Sequence, residues 1–325
     1  MSEVTSRQLT QVCLAPGTVD GRLFARLVED YELGFTPTSL SWSGTGRSSG
    51  RFSARALGKV AAAGSLDWAR VQAGDRETFG LAGIAGHNVE QLIWERCTAS
   101  DDALVAEVAA LPGFNAAYRG DADDVYWQSE DSIESYELAG RPHGHLPKIA
   151  GGFFPGQDQV IDVSANPGRR TPFDGILLWA SSRMWFGPRA FAHLDRERLL
   201  ASPVGDITES DDGRIVIVDL FPLDWIASRH DEVRSRQRSF REWMDFDQLE
   251  SRADEVAAAE SDPTFEIETG TFEHGGVRRL AEWLDESGRA VPKSRAVKGR
   301  IVELSDDGRL LWQGETQRDA GTPDR

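Results

Sequence analysis

Length, composition and charge already exclude several classes of protein. The chain has 325 residues, of which 40% are hydrophobic and 27% charged, and its formal net charge is −17. Such an acidic chain is poorly suited to neutralising phosphates, so we expect neither nucleic acid nor an anionic membrane as a partner. Its apolar runs fall well short of the ~20 residues that a helix needs to cross a bilayer. The first residues lack the basic and then apolar order of a signal peptide, which predicts a cytoplasmic protein.

The first third of the chain predicts alternating strands and helices. Residues 8–45 have the pattern of a strand, a helix capped by Asp20, and a second strand from Phe35 to Trp42. The Gly/Ser-rich run at 43–50 predicts a flexible surface loop, with an anion-binding loop as the alternative. We also expect a helix at 53–63, one or two strands within 66–84, an element of either type at 87–97, and a helix that begins near Asp101 and ends at Pro112.

The negative charge is concentrated in one part of the chain. Residues 101–140 contain ten acidic residues and one basic residue, Arg119, which gives this stretch a charge of −9. The other 285 residues share the remaining −8. A local excess of this size favours a surface that attracts a cationic partner.

Residues 118–138 carry most of this excess, with two aromatic residues among the carboxylates. One interpretation is a solvent-exposed hairpin that has an acidic face. The other is a recognition surface, because aromatic anchors inside a charged rim are typical of protein interfaces. On the second interpretation the partner-binding residues are Asp121, Asp123, Asp124, Tyr126, Trp127, Glu130, Asp131 and Glu134.

The stretch from Phe173 to Trp225 predicts a folded core. The apolar run at 173–179 fits a buried strand, and Gly187-Pro188 opens a short helical turn. Asp212-Gly213 predicts a hairpin turn before the β-branched strand at 215–220.

The last third of the chain predicts helices followed by strands. Residues 230–246 have the periodicity of an exposed helix, and Asp247 begins a second one. Residues 264–313 predict a β-meander, because Ser287-Gly288-Arg289 and Asp307-Gly308-Arg309 both resemble hairpin turns. The apolar positions at 277–284 would also suit a helix.

Few patterns in the sequence indicate catalysis. It has no H-E-x-x-H, Walker or paired C-x-x-C motif, and we predict no catalytic residue, cofactor or metal ion. His143 and His145 are spaced so that a strand would point both side chains the same way, but no third metal ligand is marked nearby. A pocket near His143 and His145, or near His274, remains open as the site of an enzyme of unknown class, hydrolase-like in character.

One segment of the chain resembles a known group of proteins. It runs Gly175-Ile-Leu-Leu-Trp179-Ala-Ser-Ser, then Gly187-Pro188, then Asp212-Gly213-Arg-Ile-Val-Ile-Val-Asp-Leu-Phe-Pro-Leu-Asp224. This order resembles the C-terminal part of bacterial immunity proteins from polymorphic toxin systems, particularly the type catalogued as immunity protein fifty-two, and related uncharacterised families. The resemblance lies mainly within residues 173–225. It implies a cytoplasmic protein without catalytic residues that binds and silences one cognate toxin.

Together these patterns predict an α+β protein with a mixed or antiparallel central sheet, flanking helices and a C-terminal β-meander. We expect three segments, 1–150, 151–260 and 261–325, in one compact body. The leading functional hypothesis is a non-catalytic immunity factor that binds a protein partner, a basic toxin domain, through its acidic face. The alternatives are the enzyme of unknown class and a structural or scaffold protein.

Overall fold

The computed structural model describes residues 7–31, 33–44, 46–74, 77–84, 89–96, 102–150, 159–252, 265–269, 272–289, 291, 296–305 and 309–317. Contacts group them into two compact units, the first within 7–251 and the second within 252–317. Residues on both sides of position 150 belong to the first unit. The three segments expected from the sequence stay a prediction.

The first unit is built on a ten-stranded sheet in which all neighbouring strands are antiparallel. Numbered in chain order, the strands lie across the sheet as β13 (Asp206–Glu209), β14 (Val216–Asp219), β12 (Arg183–Phe186), β7 (Phe114–Asp121), β1 (Gln8–Leu14), β6 (Val89–Arg96), β5 (Glu77–Ile84), β4 (Leu66–Ala73), β2 (Ser39–Gly44) and β3 (Arg47–Arg51). This sheet and its helices confirm the predicted α+β class.

Helices and two small strand pairs complete the first unit. The helices are α1 (Gly21–Asp30), α2 (Ala54–Ala63), α3 (Asp102–Ala109), α4 (Ala122–Ser129), α5 (Ile133–Leu138), α6 (Arg196–Leu200), α7 (Trp225–Ser228) and α8 (His230–Trp243), and residues 246–252 are also helical. The small pairs are β8 (Lys148–Ala150) with β9 (Gln159–Ile161), and β10 (Thr171–Phe173) with β11 (Ile176–Leu178). No helix in the described part of the chain combines the length and apolar composition that a membrane crossing requires.

Strand β1 lies at the centre of the sheet and faces two separate hydrophobic cores. Successive side chains of a strand point to opposite faces. Leu9 and Cys13 enter one core, which residues 173–250 cover, while Val12 and Leu14 enter the other, beneath α1–α3. Burial raises the pKa of the Cys13 thiol to about 12, so this cysteine stays protonated and acts as a small apolar side chain.

The core beneath α1–α3 depends on local signals that the sequence makes visible. Asp20 and Ser53 accept hydrogen bonds from the first-turn N–H groups of α1 and α2, as N-cap residues do. Helices α1 and α2 approach each other closely at Gly21, where an added Cβ would lie 2.1 Å from the carbonyl oxygen of Val60. Only glycine allows that approach.

The opposite core is held by two buried arginines. Arg241, on α8, is 2% exposed and Arg169 is 7% exposed. Both guanidinium groups donate to the Glu250 carboxylate at 2.5 Å and to Asp247 at 2.8 Å. The Thr171 hydroxyl donates to the same Glu250 oxygen as Arg241, at 2.8 Å. The network therefore joins α8, the β10 strand and the helical segment at 246–252.

The second unit contains a four-stranded antiparallel sheet. Its strands follow one another in sequence order, β15 (Phe265–Thr269), β16 (Arg278–Leu284), β17 (Lys298–Leu304) and β18 (Leu310–Gln317). This confirms the predicted β-meander. The predicted turn around Gly308 lies mainly outside the described residues.

Several predicted elements need correction. The run at 43–50 is not a loop, because most of it belongs to the paired strands β2 and β3. The Trp42 ring packs there so closely that a Cβ added at Gly46 would lie 3.1 Å from it. Residues 122–138 form helices α4 and α5 instead of a hairpin, since Asp121 and Ser132 cap helix N-termini there. Two open alternatives are also decided: the ambiguous segment at 87–97 contains β6, and 278–284 is strand β16, as the predicted meander requires. In both strands, pairing with neighbours decides between two locally acceptable structures.

Replacing Glu250 with alanine should destabilise the first unit strongly. The change removes a shared acceptor of two buried guanidinium groups, and breaking a buried pair in this way commonly costs about 3 kcal/mol or more. Glu250→Ala should therefore shift the urea midpoint markedly. The exposed Glu242→Ala, also on the helical part of this region, should change stability by less than about 0.5 kcal/mol. Equal effects would contradict the network's role.

Glu90 should give the protein a measurable pH dependence of stability. Its carboxylate is 6% exposed and accepts the Val19 N–H at 3.1 Å. Burial raises the pKa of Glu90 above the ordinary glutamate value, although hydrogen bonds from the backbone at 17–19 act in the opposite direction. The folded state then holds the proton more tightly than the unfolded state, so this group costs stability as pH rises through the ordinary pKa towards the raised one.

We therefore expect the melting temperature of wild type, relative to Glu90→Gln, to fall as pH rises above about 4.5 and to level off above the raised pKa. Parallel thermal melts across that range measure the difference. A constant difference would contradict the assignment.

Candidate functional site

The acidic segment follows β7 and consists mainly of two short helices. Asp121 ends β7 and caps α4 by accepting the Asp124 N–H at 2.7 Å. Ser132 caps α5 in the same way, with the Ser135 N–H at 3.3 Å. Residues 121–140 contain seven acidic residues and no basic residue. The fold therefore gathers this charge on one helical pair.

A cluster of aromatic rings fixes the two helices to each other. The Trp127 ring lies edge-on to Tyr126 at 4.9 Å and to Tyr136 at 4.8 Å, and the Arg141 guanidinium lies 4.2 Å from its centroid. The Tyr136 hydroxyl donates to the carbonyl of Trp127 at 3.2 Å. Trp127 is thus half-buried among its neighbours, whereas Tyr126 keeps 45% of its surface exposed.

Four of the predicted site carboxylates are engaged within the fold. Asp121 is 9% exposed. Asp124 forms a two-point ion pair with Arg234 of α8, in which both side chains are largely buried. Asp123 is paired with Arg7 at 2.6 Å. Glu130 accepts the Ser132 N–H at 3.1 Å, and its hydrogen bond with Tyr126 raises the pKa of that phenol.

The remaining acidic residues face solvent beside apolar side chains. Asp131, Glu134 and Glu137 are exposed, and Leu138, which the sequence analysis did not select, is 90% exposed. Leu138 follows Glu134 by four residues, so both lie on one side of α5. We call Tyr126, Asp131, Glu134, Glu137 and Leu138 the acidic–apolar surface. The sequence does contain a signal for Leu138, because it is an apolar residue at the end of an acidic segment, directly before Ala139-Gly140.

The histidines that the sequence left open have different local surroundings. His143 packs against the Tyr136 ring, with its Nε2 3.6 Å from the Glu137 carboxylate, and His145 is exposed. His274, in the second unit, contacts the buried Glu303 at 3.3 Å and stacks on Trp312 at 4.4 Å. Among the residues that the structure describes, no three His, Cys, Asp or Glu side chains are grouped to hold a metal ion.

One local run matches a nucleophile motif without its structural context. Gly46-Arg47-Ser48-Ser49-Gly50 has the G-x-S-x-G pattern, which in hydrolases forms a sharp turn between a strand and a helix. In this protein the motif lies almost entirely within the exposed edge strand β3, and not at a turn between a strand and a helix. The pattern therefore gives no support to a catalytic serine.

Comparison with known proteins finds no matching family model, no matching curated protein and no matching solved structure.

The Asp124–Arg234 pair should matter for stability, unlike the exposed carboxylates of the same segment. Asp124→Ala leaves a largely buried guanidinium without its main partner, and we expect a loss of about 2–3 kcal/mol in chemical denaturation. Glu134→Ala should change stability by less than about 0.5 kcal/mol.

A double-mutant cycle isolates the pair. Arg234→Met in the Asp124→Ala background should cost less than Arg234→Met alone, because the charge it removes is already unpaired. Additive effects of the two changes would show that the pair contributes little.

Proposed function

We propose that this protein is a non-catalytic binding protein, a cytoplasmic immunity factor that silences a basic toxin domain through its acidic–apolar surface. The resemblance at residues 173–225 suggested the class. The observation that carries the proposal is the position of the exposed apolar side chains.

Among the described residues of the first unit, the exposed large apolar side chains all fall between positions 126 and 149. They are Tyr126 at 45%, Leu138 at 90% and Ile149 at 50%. The acidic residues of that stretch that face solvent are Asp131, Glu134 and Glu137. An apolar centre with a charged rim is the usual anatomy of a protein interface, so this surface favours a protein partner over a small molecule.

The charge of the surface indicates the nature of that partner. Solvent-exposed carboxylates attract a cationic surface and accelerate its approach. A basic domain whose own active cleft is cationic would meet both requirements. The proposal retains Tyr126 as an anchor and adds Leu138, because Trp127 is occupied within the aromatic cluster.

The first test is whether the chain neutralises a neighbouring gene product. Co-expression with an adjacent toxin-sized gene should restore growth, and the two purified proteins should form a complex. A product that is harmless alone, or toxic but neither bound nor neutralised, would contradict the proposed function.

Variants of the surface then locate the interface. Leu138→Ser should speed dissociation about tenfold without lowering the melting temperature, because a largely exposed side chain contributes little to the fold. Asp131→Asn with Glu134→Gln and Glu137→Gln should instead slow association, most clearly at low ionic strength.

The matched control neutralises three exposed carboxylates elsewhere in the first unit, Asp211→Asn, Asp231→Asn and Glu242→Gln. It changes the net charge by the same amount. Equal slowing by the two triple variants would attribute the effect to overall charge and would contradict a local interface.

A further inference from the structure

A row of polar side chains crosses five neighbouring strands of the large sheet. The strand registers place Thr10 opposite Arg119, Arg119 opposite Arg183, Arg183 opposite Asp219, and Asp219 opposite Asp206. Residues directly opposite each other point to the same face of a sheet. This face is the one on which α3 packs, since Asp102 of α3 accepts a hydrogen bond from Arg119 at 2.5 Å.

The middle of the row is internally compensated. Arg183 lies 3.2 Å from Asp219 and 3.7 Å from Asp102. The guanidinium groups of Arg119 and Arg183 both lie about 5 Å from the Trp185 ring, at 5.1 and 5.0 Å. These contacts hold the two arginines in place and balance their charges.

A cleft of about 580 Å³ opens over this row. Its charged lining residues are Arg119, Arg183, Asp206, Asp219 and Arg236, and its apolar wall consists of Leu220, Phe221, Pro222, Leu223 and Trp225. The volume lies in the range of ~300–1,000 Å³ that is usual for small-molecule sites. Apolar walls with a few polar groups are also usual for such sites.

One carboxylate in the cleft is not compensated. Asp206 has no hydrogen bond or ion pair from its side chain within the described part of the chain, and it stands directly opposite Asp219. Like charges directly opposite on adjacent strands destabilise each other. A cationic group placed between the two carboxylates would relieve that repulsion.

One guanidinium in the cleft retains donor capacity. Arg236 donates to the Leu220 carbonyl at 3.0 Å and lies 3.6 Å from Glu232, yet its side chain is 38% exposed. A guanidinium carries five N–H donors, so several remain for a ligand. Because Leu220 follows Asp219 directly, Arg236 contacts the backbone one residue beyond the carboxylate pair.

An aromatic side chain lines the cleft beside Arg236. The Trp225 ring lies 5.1 Å from the Arg236 guanidinium and 4.5 Å from that of Arg229. These cation–π contacts orient the indole in the cleft wall. It offers an apolar surface beside the charged groups.

We propose that this cleft binds a small zwitterionic ligand of about dipeptide size, with its ammonium group at Asp206 and Asp219 and its carboxylate at Arg236. The ligand's apolar side chain packs on Trp225 and its neighbours. A phosphorylated ligand fits less well, because two carboxylates would repel it. The site is separate from the acidic–apolar surface and does not depend on the proposed function.

Calorimetry with the full chain tests the proposal. The probes are alanyl-leucine, leucyl-alanine and alanyl-phenylalanine, each free, N-acetylated or C-amidated. At least one free dipeptide should bind with a Kd below about 5 mM. Blocking either terminus should weaken its binding about tenfold or more, because each block removes a charge-assisted hydrogen bond. Absence of binding by all three, or equal binding of free and blocked forms, overturns the proposal.

Variants assign each terminus to its residue. Asp206→Asn should weaken binding of the free dipeptide about tenfold and change binding of the N-acetylated form little. Arg236→Gln should also weaken binding of the free dipeptide about tenfold, but it should change binding of the C-amidated form little. The exposed Asp231→Asn and Arg238→Gln carry the same charge changes on α8 and should keep full affinity. Equal losses of affinity in the control variants would overturn the assignment. So would losses of affinity that are the same whichever terminus is blocked, even when every variant has the melting temperature of wild type.

Discussion

The large sheet has two faces, and its two covering layers overlap only near the centre. Helices α1–α3 pack on one face, and their core includes Leu40 of β2 and Phe79 of β5. The β10–β11 pair, α6 and α8 pack on the other face, over Met184 of β12 and Val216 of β14. Strand β1 is buried on both sides because it lies where the layers overlap. Each face therefore has one end that these layers of the first unit leave uncovered.

The two uncovered ends differ in chemistry. Opposite α1 and α2, the registers of β2 and β4 align Ser41 with Arg70 and Ser39 with Gln72. A polar face of this kind is what an antiparallel sheet needs towards water, and it requires no ligand. Beside α3, the uncovered end instead combines Trp185 with opposed charges from three strands. Charge that is only partly compensated around a cleft indicates a binding site more strongly than the other face, where these polar residues alternate with apolar ones such as Trp68 and Ile93.

Local patterns in the sequence predicted the elements whose signals are local. Asp20, the helical pattern at 53–63 and the Asp212-Gly213 turn identified α1, α2 and the β13–β14 hairpin. Strand β12 was not predicted, since four residues carry too little periodicity and its two partners lie far away in sequence. The charge count located the acidic segment, but it could not separate exposed carboxylates from engaged ones. Asp124 is engaged because Arg234 reaches it from 110 residues further along the chain.

The engaged carboxylates give the exposed ones a fixed position. Arg7, just before β1, is tied to α4 through Asp123, and its carbonyl accepts the Ala122 N–H at 2.7 Å. Arg234 ties the same helix to α8 through Asp124. Helix α4 is thus attached to the sheet and to the layer that covers it. The aromatic cluster fixes α5 to α4 through the contacts between Trp127 and Tyr136. A surface that is ordered before binding loses less conformational entropy when a partner docks. The same concentration of acidic residues therefore has two physical roles, one inside the fold and one at its surface.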